Sequence, residues 1–120
     1  MIALIQDTPR ARRLAGYAAL LLMVAIATLS LLPPAELPDI ETSDKVKHFL
    51  AYTALAVPVA IRLGRGRALQ ALVLTAAFGA LMEVGQLLAP TGRDFSVFDE
   101  LANALGATLG TGIALALRRR

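Results

Sequence analysis

Three stretches of this chain gather side chains that can do chemistry. In "SDKVKHFLAY", residues 43–52, stand Asp44, Lys45, His48 and Tyr52, and His48 is the single histidine of the protein. On a helix of about 3.6 residues per turn these four fall within a wedge of roughly 100°. In "MEVGQLLAP", Glu83 and Gln86 share a helix face with Ala76, Gly79 and Pro90. In "DELANALGATLG", Asp99, Asn103, Gly106 and Gly110 align within about 60° by the same geometry. An imidazole beside carboxylates can hold or move a proton. Lysine or arginine beside them, here Lys45 and Arg93, can bind an anionic phosphate or pyrophosphate.

Each residue also has a plain structural use. Asp44 complements a helix dipole at an N-terminus, and Lys47 suits a snorkelling collar. Asp99 follows Ser96 in a Ser-x-x-Asp arrangement, a weaker form of the capping box. Tyr52 fits an interfacial aromatic, and Gly106 with Gly110 forms a G-x-x-x-G pattern that lets helices approach closely. Glu83 is harder to place that way. It sits about two turns, roughly 9–10 Å, inside its apolar block. A lone charge there costs on the order of 2–3 kcal/mol, so Glu83 is expected to face the bundle interior and find a partner, or to stay protonated. His48, Lys45, Arg93 and Gln86 are the candidates.

The elements that position these residues are read from hydropathy. Of 120 residues 57% are hydrophobic, above the roughly 45–50% of a soluble domain. The excess falls into four blocks, 14–32, 46–63, 68–89 and 101–117, of 19, 18, 22 and 17 residues. As helices they reach roughly 26–33 Å, the thickness of a bilayer core. The expected fold is an all-α membrane protein, a four-transmembrane-helix bundle. Residues 1–13 form its N-terminal segment, 14–117 the bundle and 118–120 a basic tail. The first block is longer than a signal-peptide core and lacks a small-residue cleavage site, so it reads as a retained helix.

Nine of the twelve basic residues lie at Arg10, Arg12, Arg13, Arg62, Arg65, Arg67, Arg118, Arg119 and Arg120. With four spans all nine fall on one side. The positive-inside rule then puts both termini in the cytoplasm, N-in and C-in. The basic clusters are expected to face anionic lipid headgroups, with no role for nucleic acid. The chain reads as two out-and-back hairpins. Each returning arm opens on an aspartate with a polar residue four positions on, Asp44 with His48 and Asp99 with Asn103. A parallel repeat about an axis along the membrane normal has that form.

Established catalytic signatures are missing: the sequence has no Gly-rich phosphate loop, no H-E-x-x-H and no G-x-S-x-G. With one histidine and no cysteine, neither a metal nor another cofactor is expected.

The assembled residues resemble the VanZ-like family of small bacterial membrane proteins. "DKVKHFLAY" is similar to a D-K-x-x-H-F-x-x-Y pattern at Asp44, Lys45, His48, Phe49 and Tyr52. "EVGQLLAPTGRDFSVFDELANALGATLG" follows with E-x-x-Q, an arginine, and D-x-x-x-N-x-x-G-x-x-x-G, at Glu83, Gln86, Arg93, Asp99, Asn103, Gly106 and Gly110. Order and spacing agree over residues 44–110. The resemblance implies a multi-pass protein of the bacterial cytoplasmic membrane, connected with the cell envelope. The family's named member is linked to low-level resistance to the glycopeptide teicoplanin. No catalytic residue comes with the resemblance.

The expectation is therefore a polar pocket open to the outer leaflet, formed by Asp44, Lys45, His48, Tyr52, Glu83, Gln86, Arg93, Asp99 and Asn103. Gly106 and Gly110 would bring the fourth helix close. Three functions fit such a pocket. The first is a non-enzymatic protein binding an anionic lipid headgroup or a lipid-linked wall precursor. The second is an enzyme acting on such a lipid with His48 as acid–base. The third is an accessory subunit whose polar cluster only holds the bundle together.

Overall fold

A computed structural model describes residues 7–32, 44–88 and 97–117, and among them only helices and short turns occur. Four α-helices follow one another: α1, Pro9–Leu31; α2, Asp44–Leu63; α3, Ala68–Leu88; and α4, Val97–Leu117. All four are long and apolar enough to cross a membrane. The proline-rich stretch after α1, the segment between α3 and α4 that carries Arg93, and the terminal arginines lie outside the described residues.

Three of the helices, α1, α2 and α4, extend past their apolar blocks at the N-terminal end, and local chemistry explains why for α1 and α4. The Thr8 hydroxyl accepts a hydrogen bond from the Ala11 amide at 3.1 Å, and Pro9 opens the first turn of α1. A proline is tolerated there because that N–H has no intrahelical partner. The first turn of α4 carries Asp99 and Glu100, which complement the positive end of its dipole. Hydropathy marks what sits in hydrocarbon; hydrogen bonding carries the helix further into the polar collar. α2 continues through the buried Pro58. Between α2 and α3, Gly64 takes φ +101°, which lets the chain reverse into a single 3-10 turn, Arg65–Arg67.

α2 and α4 share the most extensive contact; α1 packs on α2, α3 packs on both α4 and α2, and α1 and α4 scarcely meet. The contacts of α2 with α4 advance together along both chains. A β-carbon at Gly106 would collide with the Phe49 carbonyl oxygen, and one at Gly110 with that of Thr53. The two helices therefore run parallel, backbone against backbone. In sequence-neighbouring pairs they run antiparallel, as the two hairpins require. α1 and α3 meet at the far ends of the hairpins, where Gln86 Nε2 donates to the Ser30 carbonyl at 2.9 Å.

The interior is built from small residues: Ala15, Ala19, Ala56, Ala60, Ala71, Ala102, Ala107 and Ala114 are buried. The large aliphatics point outward, with Leu21, Leu69 and Leu88 each more than 70% exposed. Hydrocarbon solvates leucine as well as a protein core does, so close packing of small residues drives association instead. Two larger clusters fill what remains. Tyr52, Leu55 and Ile26 pack with Phe78 and Met82, and Ile61 packs with Val57 and Val59.

Two substitutions separate close approach from simple helix content. Gly106→Ala should destabilise the bundle by roughly 1–3 kcal/mol, because its neighbour is rigid backbone. Gly112→Ala has nothing within 4 Å and should be neutral or stabilising by up to about 1 kcal/mol. Unfolding by a denaturing detergent, followed by circular dichroism, measures both. Gln86→Leu, read in the same way, should cost only about 0.5–1.5 kcal/mol, the scale of one hydrogen bond between membrane helices.

Candidate functional site

The parallel packing of α2 on α4 sets the first turns of both helices side by side. His48 lies one turn into α2 and Asn103 about two turns into α4, and they meet: His48 Nδ1 stands 2.9 Å from Asn103 Oδ1. Asn103 is fully buried, and its Nδ2 donates to Glu100 Oε1 at 3.0 Å. That bond fixes which way the amide faces. Its oxygen is left for His48, so His48 Nδ1 is assigned the proton and donates it. Nε2 then faces the other way, 3.6 Å from Asp99 Oδ2. The second oxygen of the same carboxylate, Oδ1, lies 3.5 Å from Lys45 Nζ. Asp99 thus stands between two basic side chains. Exposure grades outward: the side chains of His48 and Asp99 are 13% and 15% exposed, that of Lys45 57%.

Tyr52 lies one turn below His48 and is buried; the two rings are parallel to within 5°, with centroids 6.5 Å apart. Phe78 of α3 closes its other side at 6.2 Å. Glu83 is fully buried and does not stand alone there. Gly79, one turn from Glu83, makes room for the Asn103–Glu100 pair. A β-carbon at Gly79 would approach Asn103 Nδ2 to 2.7 Å and Glu100 Oε1 to 2.9 Å.

Lys45, His48, Asp99 and Asn103 are thus brought into one cluster, with Tyr52 as its floor. Gln86 is buried but turns away to the Ser30 carbonyl of α1. Arg93 and the side chain of Asp44 lie outside the described residues. Glu100 is the member that sequence motifs miss. Its signal is present, since it stands three positions before Asn103 and therefore on the same helix face. The repeat has a counterpart in space: His48 and Asn103 are 55 positions apart, and Ser30 and Gln86 are 56 apart. Equivalent arms of the two hairpins therefore meet at almost the same register.

Chemically the cluster offers an oriented imidazole, a carboxylate beside its second nitrogen and an exposed ammonium. No group of three or more metal-ligating side chains occurs among the described residues. The site lies at what we term the polar end of the bundle. The opposite, basic end carries Arg12, Arg13, Arg62, Arg65 and Arg67.

Comparison with curated proteins finds no match, and comparison with solved structures finds none either. A family model does match. It is described as VanZ/LLP1 and aligns with residues 6–118, nearly the whole chain and all four helices. The chain is a VanZ-like membrane protein and belongs to the VanZ/LLP1 family.

Proposed function

We propose that the chain is a multi-pass protein of the bacterial cytoplasmic membrane whose polar end faces the outer leaflet and binds an anionic headgroup, of an envelope lipid or a lipid-linked wall precursor. Both termini are then cytoplasmic, as the distribution of arginines favours. The observation that carries this reading is the chain of contacts Glu100–Asn103–His48–Asp99–Lys45 across two helices. Asn103 is buried, His48, Asp99 and Glu100 are partly buried and mutually oriented, and the outermost member is the exposed ammonium of Lys45. A phosphate approaching Lys45 would meet a charge partner whose stem can swing from Asp99 and an imidazole already held in place. Charge-assisted bonds of that kind are among the stronger ones available.

A second reading rests on the orientation of His48. With Nδ1 committed to Asn103, Nε2 is the nitrogen that could exchange a proton with a bound lipid, and Asp99 would steady the imidazolium so formed. On this reading the protein is an enzyme acting on the same class of lipid. A link to glycopeptide susceptibility would follow from either, through the supply or masking of wall precursors.

The test uses the purified full chain in detergent, with a polyprenyl phosphate and phosphatidylglycerol as probes. Lys45→Met should weaken binding of the phosphate lipid about tenfold, the equivalent of one charged hydrogen bond. His48→Gln, which can still donate to Asn103, should change binding by less than about threefold. If the wild type turns the lipid over and His48→Gln abolishes turnover while binding persists, the enzyme reading holds. If both variants lower the unfolding midpoint while binding and glycopeptide susceptibility stay unchanged, the cluster is structural and the binding proposal fails.

A further inference from the structure

A cleft of about 950 Å³ opens at the basic end of the bundle, between the start of α1 and the end of α2. It lies about 20 Å along α2 from His48 and is independent of the site proposed above. Three guanidiniums line it, those of Arg12, Arg13 and Arg62, against one carboxylate, Asp7. Asp7 is taken by Arg12, which donates from Nε to Oδ1 at 2.7 Å and from its terminal nitrogen to Oδ2 at 2.9 Å. Among the described residues no carboxylate pairs with Arg13 or Arg62. The cleft therefore holds positive charge that no carboxylate among the described residues neutralises.

Its shape has a cause in the sequence. The stem of Arg62 crosses α1 at Gly16, where a β-carbon would come within 3.0 Å of its Cδ and 3.2 Å of its Nε. Any side chain at this position would push the Arg62 stem aside, and a large one would displace it from the cleft. Away from the guanidiniums the lining turns apolar, through Leu20 and Val59, and continues onto the surface that faces the lipid chains. Tyr17 stands at the same mouth, 62% exposed, suited to the headgroup level. Unpaired guanidiniums at one end and an apolar wall at the other match an amphiphile with a phosphate head. A free inorganic anion would use only the first half.

We propose that this cleft is a discrete binding site for an anionic phospholipid, with Arg13 and Arg62 clamping its phosphate and one acyl chain lying against Leu20 and Val59. Guanidinium suits the role because its planar fork bonds two phosphate oxygens at once. The site differs from diffuse attraction of basic residues to an acidic leaflet, because it predicts saturable binding that depends on particular residues.

Native mass spectrometry of the full chain, released from detergent and titrated with phosphatidylglycerol or phosphatidylcholine, tests it. One phosphatidylglycerol should be retained in preference to phosphatidylcholine. The double variant R13Q/R62Q should lower its retention about tenfold or more. Gly16→Leu, which leaves every charge in place, should lower it similarly by displacing Arg62. Arg10→Gln removes a neighbouring charge that does not line the cleft and should leave retention unchanged. Circular dichroism establishes that each variant is folded, and the charge-neutral and charge-removing variants must agree. Equal retention of the two lipids overturns the proposal. So does a loss with Arg10→Gln as large as with R13Q/R62Q, which would mean diffuse attraction alone. Displacement of the lipid by millimolar inorganic phosphate would also overturn it, since a phosphate-only site needs no acyl groove.

Discussion

The arrangement of this protein rests on the approach of α2 to α4. At Gly106 and Gly110 the α4 backbone meets the carbonyls of Phe49 and Thr53 directly, with the small Ala56 side chain beside them. In hydrocarbon, apolar side chains gain little by leaving the solvent, so helices associate where they can come closest. The close approach also fixes direction and depth. Parallel helices in register put two N-termini at one end and two C-termini at the other. Each N-terminus carries roughly half a positive charge. Acidic residues gather where those charges add, at Asp99 and Glu100, and arginine gathers at the other pole, at Arg62 in the last turn of α2.

Polar groups inside such a bundle are costly unless they are satisfied, because lipid offers them no partner. The site meets that requirement by mutual use. Asn103 accepts from His48 and donates to Glu100, so a single buried amide orients two ionisable side chains. Gln86 spends its donor on a main-chain carbonyl of α1 and ties the end of one hairpin to the other. Small residues at Gly79 and Gly106 are what allow these contacts to form. The same economy of volume that packs the helices gives the polar side chains room to meet.

The four spans were legible because a run of apolar residues long enough to cross a bilayer has few other uses. The helix starts were less so. The α1 helix reaches back to Pro9 through the Thr8 cap, and α4 to Val97 through an acidic first turn. Polar and acidic residues lower hydropathy, so the apolar blocks stop short of these helix starts. Helix-face geometry brought His48 and Asn103 into the same site, and the two-hairpin pattern agrees with their meeting at matched depth. Glu100 is masked by its neighbour: Asp99 aligns with Asn103 four positions on, and a spacing of three, which joins Glu100 to Asn103, is equally good on a helix face. The partner of Gln86 could not be read at all. Every residue has a carbonyl, so a main-chain acceptor leaves no mark in the sequence.

Placing basic side chains at both ends of one bundle need not give both ends the same chemistry. At the polar end Lys45 and His48 stand beside Asp99, with Glu100 one contact further on. Any anion arriving there competes with carboxylates that the chain supplies, which favours a ligand matched in shape to the displaced contacts. At the basic end a single carboxylate serves three arginines, and Arg12 takes it. An anion reaching Arg13 or Arg62 meets no competing carboxylate among the described residues, with an apolar wall beside it. The two ends thus differ in how far carboxylates among the described residues meet their positive charge, and the parallel pair at the centre of the bundle keeps them apart.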